Sequence, residues 1–160
     1  MRIVIHAVGR MKAGPEAELC DRYLDRFRRA GGSLGLQFGG VLEPVESRAS
    51  SVALRKREEA GKLLSHLDAS SALILLDERG KDMTSPAFAD RLGRFRDDGL
   101  SSLVLAIGGP DGHDAELREK ADMVLSFGQA TFPHQIVRIL LAEQLYRATT
   151  ILSGHPYHRA

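Results

Sequence analysis

Apolar positions along this chain switch repeatedly between two rhythms. Arg2 to Val8 is β-branched and apolar and stops at Gly9, the pattern of a buried strand. From Pro15 to about Arg29 the spacing becomes helical. Pro15 suits a first turn, Leu19, Tyr23 and Phe27 recur four apart on one face, and Gly31-Gly32 ends the run. Leu34 to Val41 alternates loosely and predicts a second strand. Ser51 to Leu67 predicts a second helix with Val52, Leu63, Leu64 and Leu67 inward, and its run Arg55-Lys56-Arg57-Glu58-Glu59 reads as a solvated face. Ser71 to Leu76 is continuously apolar and closed by Asp77; such runs belong to strands covered on both faces, as in parallel sheets. Thr84-Ser85-Pro86 opens a third helix with Phe88, Leu92 and Phe95 inward. Leu103 to Ile107 is another buried strand. A short helix from about Asp114 to Lys120 and a short strand from Met123 to Ser126 follow. Pro133 to Ser153 is the longest helix, with Ile136, Leu140, Leu141 and Leu145 apolar, and Gly154 caps it.

Strand and helix alternate throughout, without an internal repeat, linker or low-complexity segment. The pattern predicts one α/β domain over residues 1–160 with a mostly parallel sheet. Composition agrees: 43% hydrophobic and 27% charged residues suit a soluble globular chain and argue against disorder. A formal charge of +1 does not announce a nucleic-acid binder, although a net value hides local patches. Cys20 is the sole cysteine, so no internal disulfide and no zinc site built on several cysteines can form. No apolar run approaches membrane-spanning length, and Ile3-Val4-Ile5 is too short for a signal-peptide core. A cytoplasmic location is expected.

Three strand ends carry the candidate chemistry. Ile107-Gly108-Gly109-Pro110-Asp111-Gly112 brings three glycines within five residues, which lets backbone N–H groups approach a ligand closely. A tight strand-to-helix turn explains the same residues. The segment is neither a P-loop nor a dinucleotide fingerprint: no Gly-Lys-Ser/Thr follows and Gly-x-Gly-x-x-Gly is absent. Leu76-Asp77-Glu78-Arg79-Gly80 and Ser126-Phe127-Gly128-Gln129-Ala130-Thr131-Phe132-Pro133-His134 end two further strands. Ligands in open α/β sheets bind outside the carboxyl ends of strands. Glycine-rich loops without a phosphate-binding lysine suit an uncharged or zwitterionic adenosyl-type ligand; a nucleotide-phosphate site fits them less well.

The last helix carries Arg138, Glu143, Tyr146 and Arg147. A solvated helix charge accounts for Arg138, and an intrahelical i, i+4 pair accounts for Glu143 with Arg147. Beyond the helix, His155-Pro156-Tyr157-His158-Arg159 gathers two imidazoles, a phenol and a guanidinium around a proline. Metal binding by the two histidines lacks supporting ligands, and the helix C-terminus explains the basic character but not Tyr157. Stacking on a nucleobase, with Arg159 on a phosphate, accounts for all of them.

Leu105-Ala-Ile-Gly-Gly-Pro-Asp-Gly112, Thr131-Phe-Pro-His-Gln-Ile-Val-Arg138, Glu143-Gln-Leu-Tyr-Arg147 and His155-Pro-Tyr-His-Arg159 together resemble the ribosomal large-subunit methyltransferase H family of the SPOUT class. The likeness runs the length of the chain and is most specific in the terminal motif. It implies an α/β trefoil knot, which topology rules alone argue against. It implies a homodimer with the knot regions and last helices at its interface. The implied reaction methylates N3 of a pseudouridine, expected at position 1915, of 23S rRNA within the large ribosomal subunit. S-adenosylmethionine is the implied methyl donor, without a metal. Its implied contacts are Leu76, Gly108, Phe127, Gly128, Gln129, Ala130, Thr131 and Phe132. His155, Tyr157, His158 and Arg159 are the implied catalytic group, and Arg138 and Arg147 are candidates for RNA contact. Rival readings are a SPOUT methyltransferase with another RNA target and a non-catalytic ribosome-binding factor.

Overall fold

A computed structural model describes residues 1–159. The strands are β1 (Arg2–Ala7), β2 (Gln37–Leu42), β3 (Ser71–Lys81), β4 (Ser102–Ile107) and β5 (Met123–Leu125). The helices are α1 (Pro15–Gly31), α2 (Val52–Leu64), α3 (Ser85–Asp97), α4 (Ala115–Lys120) and α5 (His134–Leu152). The strands form one sheet in the order β2-β1-β4-β3-β5, and every pairing is parallel.

Side-chain alternation along the strands divides the core into two layers. Ile3, Ile5, Ile74, Leu76, Leu103, Leu105 and Ile107 point to the face covered by α1, α3 and α5. Val4, Leu73, Leu75, Val104 and Ala106 point to the other, where Ala60 and Leu63 of α2 and Leu117 of α4 cover them. The continuous apolar runs in the sequence are explained by this double coverage. Removal from water of each such Leu, Ile or Val side chain contributes about 1.5–3 kcal/mol before entropy is counted.

The helical faces differ from the simple four-apart reading. On α1 the buried residues are Cys20, Leu24, Phe27 and Gly31, while Leu19 lies outside and Tyr23 is half-buried. The buried set follows an i, i+4, i+7, i+11 stripe, and Leu19 falls beside it. On α2, Leu63 is buried, but Val52 and Leu64 are exposed. Ile136, expected inward on α5, is also exposed. Thr84 and Ser51 cap α3 and α2 through side-chain oxygens that accept from backbone N–H groups three residues on.

The largest departure lies in β3, which does not stop at Leu76. Leu125 pairs with Leu76 and again with Lys81, and Ser126 N–H donates to Lys81 O at 3.0 Å. Residues 77–80 therefore bulge out of the ladder between two pairings with Leu125. Glycine is required at position 80, where a Cβ would stand 2.6 Å from the Val124 carbonyl oxygen. No helix among the described residues is long and apolar enough to cross a membrane.

Candidate active site

The carboxyl ends of β3, β4 and β5 open into a cleft of about 370 Å³. The connections from β3 and β4 pass through α3 and α4 on opposite faces of the sheet, which leaves a crevice between them. Leu76, Gly108, Phe127, Gly128, Ala130, Thr131 and Phe132 line it, together with His134 and Val137 from the start of α5. Gln129 is not among the lining residues.

The cleft walls are held from behind by side chains. Ser126, buried, donates from Oγ to Gly128 O at 2.7 Å and accepts from Gly128 N–H at 3.0 Å, which pins the loop as it leaves β5. His113 Nε2 lies 3.1 Å from Leu76 O, so its N–H holds β3 where its apolar run closes. Burial lowers the His113 pKa, and the neutral ring donates from Nε2. Arg55 of α2 grips Asp111 of the glycine loop with two bonds, at 2.7 and 3.3 Å. Asp77 receives the Arg79 N–H and the Arg118 guanidinium; burial pushes its carboxyl up, but these donors win and hold it below the usual carboxylate range. At the mouth, Thr131 Oγ1 donates to Glu78 Oε2 at 3.1 Å and ties two of the loops together.

Arg138 corrects the reading of a solvated helix charge. Its side chain is 6% exposed and pairs with Glu43, and it donates to the carbonyls of Gly9 and Ala7. Burial raises the Glu43 pKa, yet the Met11 N–H and Arg138 outweigh it and keep the carboxylate charged. Arg138 thus joins α5 to the end of β1 as part of the frame, and its donors face the protein. Nearby, burial pushes the Cys20 thiol up to about 11, so it remains a protonated, inert core group.

The second assembly stands at the opposite end of α5. Gly154 adopts φ +68°, and His155 N–H donates to Thr150 O at 2.8 Å, a left-handed cap that turns the chain back along the helix. Tyr157 then packs on Tyr146, with ring centroids 4.8 Å apart, and its hydroxyl donates to Glu143 Oε1 at 3.2 Å. Arg147 lies over the Tyr157 ring at 4.9 Å and bonds Glu143 from Nε and Nη2 at 2.9 and 2.5 Å. Its Nη1 faces His158 Nδ1 at 3.4 Å. Burial, with Tyr23 and Glu143 beside it, pushes the Tyr157 phenol well above its ordinary value, so it stays protonated at neutral pH. His155 Nδ1 accepts the Tyr157 N–H at 3.2 Å. His155 and Arg159 are exposed, and Tyr157 and His158 half-buried.

Tyr23 and Arg26 escaped the sequence reading of this assembly, and Tyr146 was singled out there without a link to the tail. Arg26 of α1 stacks over both Tyr23 and Tyr146, at 5.6 and 5.7 Å. The amphipathic spacing of α1 marks Tyr23 only as a core residue, and nothing local ties α1 to a tail more than a hundred residues away.

A family model described as "Predicted SPOUT methyltransferase" matches residues 1–158. Proteins named ribosomal RNA large subunit methyltransferase H are similar along the whole chain. That of Brucella anthropi is 64% identical and that of Mesorhizobium japonicum 59%, each over 100% of both chains. That of a Chelativorans species is 62% identical over 99% of this chain and 91% of its own. The chain belongs to the ribosomal RNA large subunit methyltransferase H family. The cleft and the tail stand apart in this chain: no tail residue lines the cleft. His134 at the cleft and Arg147 at the tail are separated by roughly 20 Å of helix at 1.5 Å per residue. Among the described residues no group of three or more His, Cys, Asp or Glu side chains is arranged to hold a metal ion.

Proposed function

We propose that this chain transfers the methyl group of S-adenosylmethionine to N3 of a pseudouridine, position 1915, in 23S rRNA of the large ribosomal subunit. The observation that carries the reading is the pairing of a strand-end cleft with a separate aromatic and basic tail, in a family named for this RNA.

The cleft suits the donor. Leu76, Ile107, Phe127 and Val137 supply apolar walls for a flat adenine, and backbone groups of the glycine loops edge them. Asp77, Glu78, Arg79 and Arg118 supply a mixed-charge rim for a zwitterionic methionine end. Its size falls within the usual range for small-ligand sites, about 300–1,000 Å³. When bound, S-adenosylmethionine supplies an electrophilic methyl group on a sulfonium, so the protein's task is alignment, water exclusion and disposal of one proton.

The tail suits the acceptor. Tyr157 and the Arg147 plane offer stacking surface for the base, and Arg159 and Arg147 offer charge for its phosphate or developing oxyanion. His155 or His158 takes the N3 proton, both being of the right acid–base class. A ring that accepts at Nδ1 carries its proton on Nε2. Service as base at Nδ1 therefore requires His155 to release the Tyr157 N–H, or His158 to release Arg147; service at Nε2 requires the other tautomer as well.

The active species in this reading is a cytoplasmic homodimer of one SPOUT domain, residues 1–160. A second copy brings its tail to the cleft of the first. The exposed Phe132 and Ile136 at the start of α5, with Leu19 on the adjacent start of α1, supply apolar contact area for it. The double pairing of Leu125 with Leu76 and Lys81 supports a trefoil knot, in which the chain threads the loop at residues 77–80.

The test is mass spectrometry of 23S rRNA from a deletion strain, with the purified chain and S-adenosylmethionine added back to its large subunits. One methyl group on one pseudouridine is expected to disappear and return. An unchanged methylation pattern would overturn the assignment.

A further inference from the structure

We infer that Glu143 is the positioning residue of the tail: its carboxylate sets Arg147 and Tyr157, and through Arg147 also His158, in the arrangement that receives the RNA base. The inference rests on the methyl-transfer reading above and names a residue that it did not use.

The geometry exceeds that of an ordinary i, i+4 helix pair. One oxygen, Oε1, receives Arg147 Nε at 2.9 Å, Arg147 Nη2 at 2.5 Å and the Tyr157 hydroxyl at 3.2 Å. The other, Oε2, receives the Gln144 side-chain amide at 2.7 Å. An exposed helix pair contributes little and leaves both side chains mobile. Here the carboxylate is 16% exposed and the guanidinium 26%, and the bonds reach a segment beyond the helix end.

Each bond has a consequence further along. Two donors of one guanidinium on one carboxylate fix the plane of the fork as well as its position. With Nε and Nη2 committed to Glu143, Nη1 is the nitrogen that meets His158, and the guanidinium face is the surface that lies on Tyr157. The Tyr157 ring is thereby held against Arg147 and Tyr146, with its hydroxyl anchored on Glu143. Without the carboxylate, Arg147 regains its rotamers and the Tyr157 hydroxyl loses its acceptor. Glu143 does not line the donor cleft, so its effect passes through these partners.

The test compares the parent chain with Glu143→Gln and Glu143→Asp in single-turnover methylation of undermethylated large subunits, with S-adenosylmethionine saturating. Glu143→Gln keeps the shape but loses the charge, and a rate loss of about 10- to 100-fold is expected from misaligned groups. Donor affinity by calorimetry and dimerisation by sedimentation should stay within about two-fold of the parent, as expected for an effect confined to alignment. Glu143→Asp, which restores the charge at shorter reach, should recover part of the rate. In an Arg147→Lys background, which has no fork to hold, Glu143→Gln should cost clearly less than in the parent, because residues acting as a unit are not additive. A Glu143→Gln rate within about two-fold of the parent, or the same fold-loss in both backgrounds, would overturn the inference. So would loss of donor binding or dimerisation, which would mark Glu143 as scaffold. An inactive parent chain would overturn the methyl-transfer reading itself, and the inference with it.

Discussion

The two ends of α5 are built by different means. At its start, the cleft is carried on backbone loops at three strand ends, held from behind by Ser126, His113 and Arg55. At its end, the tail is made of side chains gathered on one carboxylate. A backbone site is as rigid as the sheet that carries it, and it tolerates side-chain change. A side-chain site depends on a few charge-assisted bonds and fails when one is lost. The same division separates two arginines of this helix. Arg138 has its donors turned into the frame, whereas Arg147 keeps one face for a partner.

That contrast can be broken most sharply at the arginines. Arg147→Ala should slow single-turnover methylation by at least about 100-fold while donor affinity and melting temperature hold. Arg138→Ala should lower stability by about 3 kcal/mol in denaturant titration, because Glu43 and two carbonyls lose their buried partner. If the two variants behave alike, the division into frame and site is wrong.

Acid should act on the cleft side first. His6 lies buried under the glycine loop beside His113, and its Nε2 has no partner among the described residues. Burial, then His66 and His113, depresses its pKa from 6.5 to about 4. The unfolded chain therefore binds a proton between these values that the folded chain refuses. The His6 contribution should be full above pH 6.5, fall as pH drops towards 4 and level below it, a loss of about 3 kcal/mol. His113 adds in the same direction. Thermal melts from pH 7 to 4 should show the slope, and His6→Leu should flatten it. A slope unchanged in His6→Leu would place the titration elsewhere.

Smaller changes probe the cleft alone. Ser126→Ala removes the clasp on Gly128 and should weaken S-adenosylmethionine binding about ten-fold in calorimetry, with the tail undisturbed. Gln129→Ala should stay within about two-fold, since Gln129 does not line the cleft. A large effect there would show that the loop closes further around its ligand than this structure shows.

Much of the frame was legible from spacing. The apolar runs at Ser71–Leu76 and Leu103–Ile107 announced strands covered on both sides, and the parallel sheet bears this out. Glycines and prolines marked the helix ends to within a few residues. The inward faces of the helices were less legible. Leu19, Val52, Leu64 and Ile136 are apolar yet exposed, because hydrophobicity states what a side chain avoids but not which neighbour covers it. The tail's residue types were visible from the start, but their support by Glu143, Tyr146 and Tyr23 was not. An i, i+4 pair has the same spacing whether it idles in solvent or anchors a distant ring.

Local order in this chain follows from composition and period alone: which segments are strands, where glycine turns the backbone, and which reactive groups lie close in sequence. These properties depend on neighbours within a few positions. Tertiary structure decided the rest. It returned the bulge at residues 77–80 to Leu125, drew Arg138 inside, and gathered three strand ends into one cleft. Each outcome depends on segments distant in sequence that meet only when the sheet assembles, and no local pattern encodes that meeting.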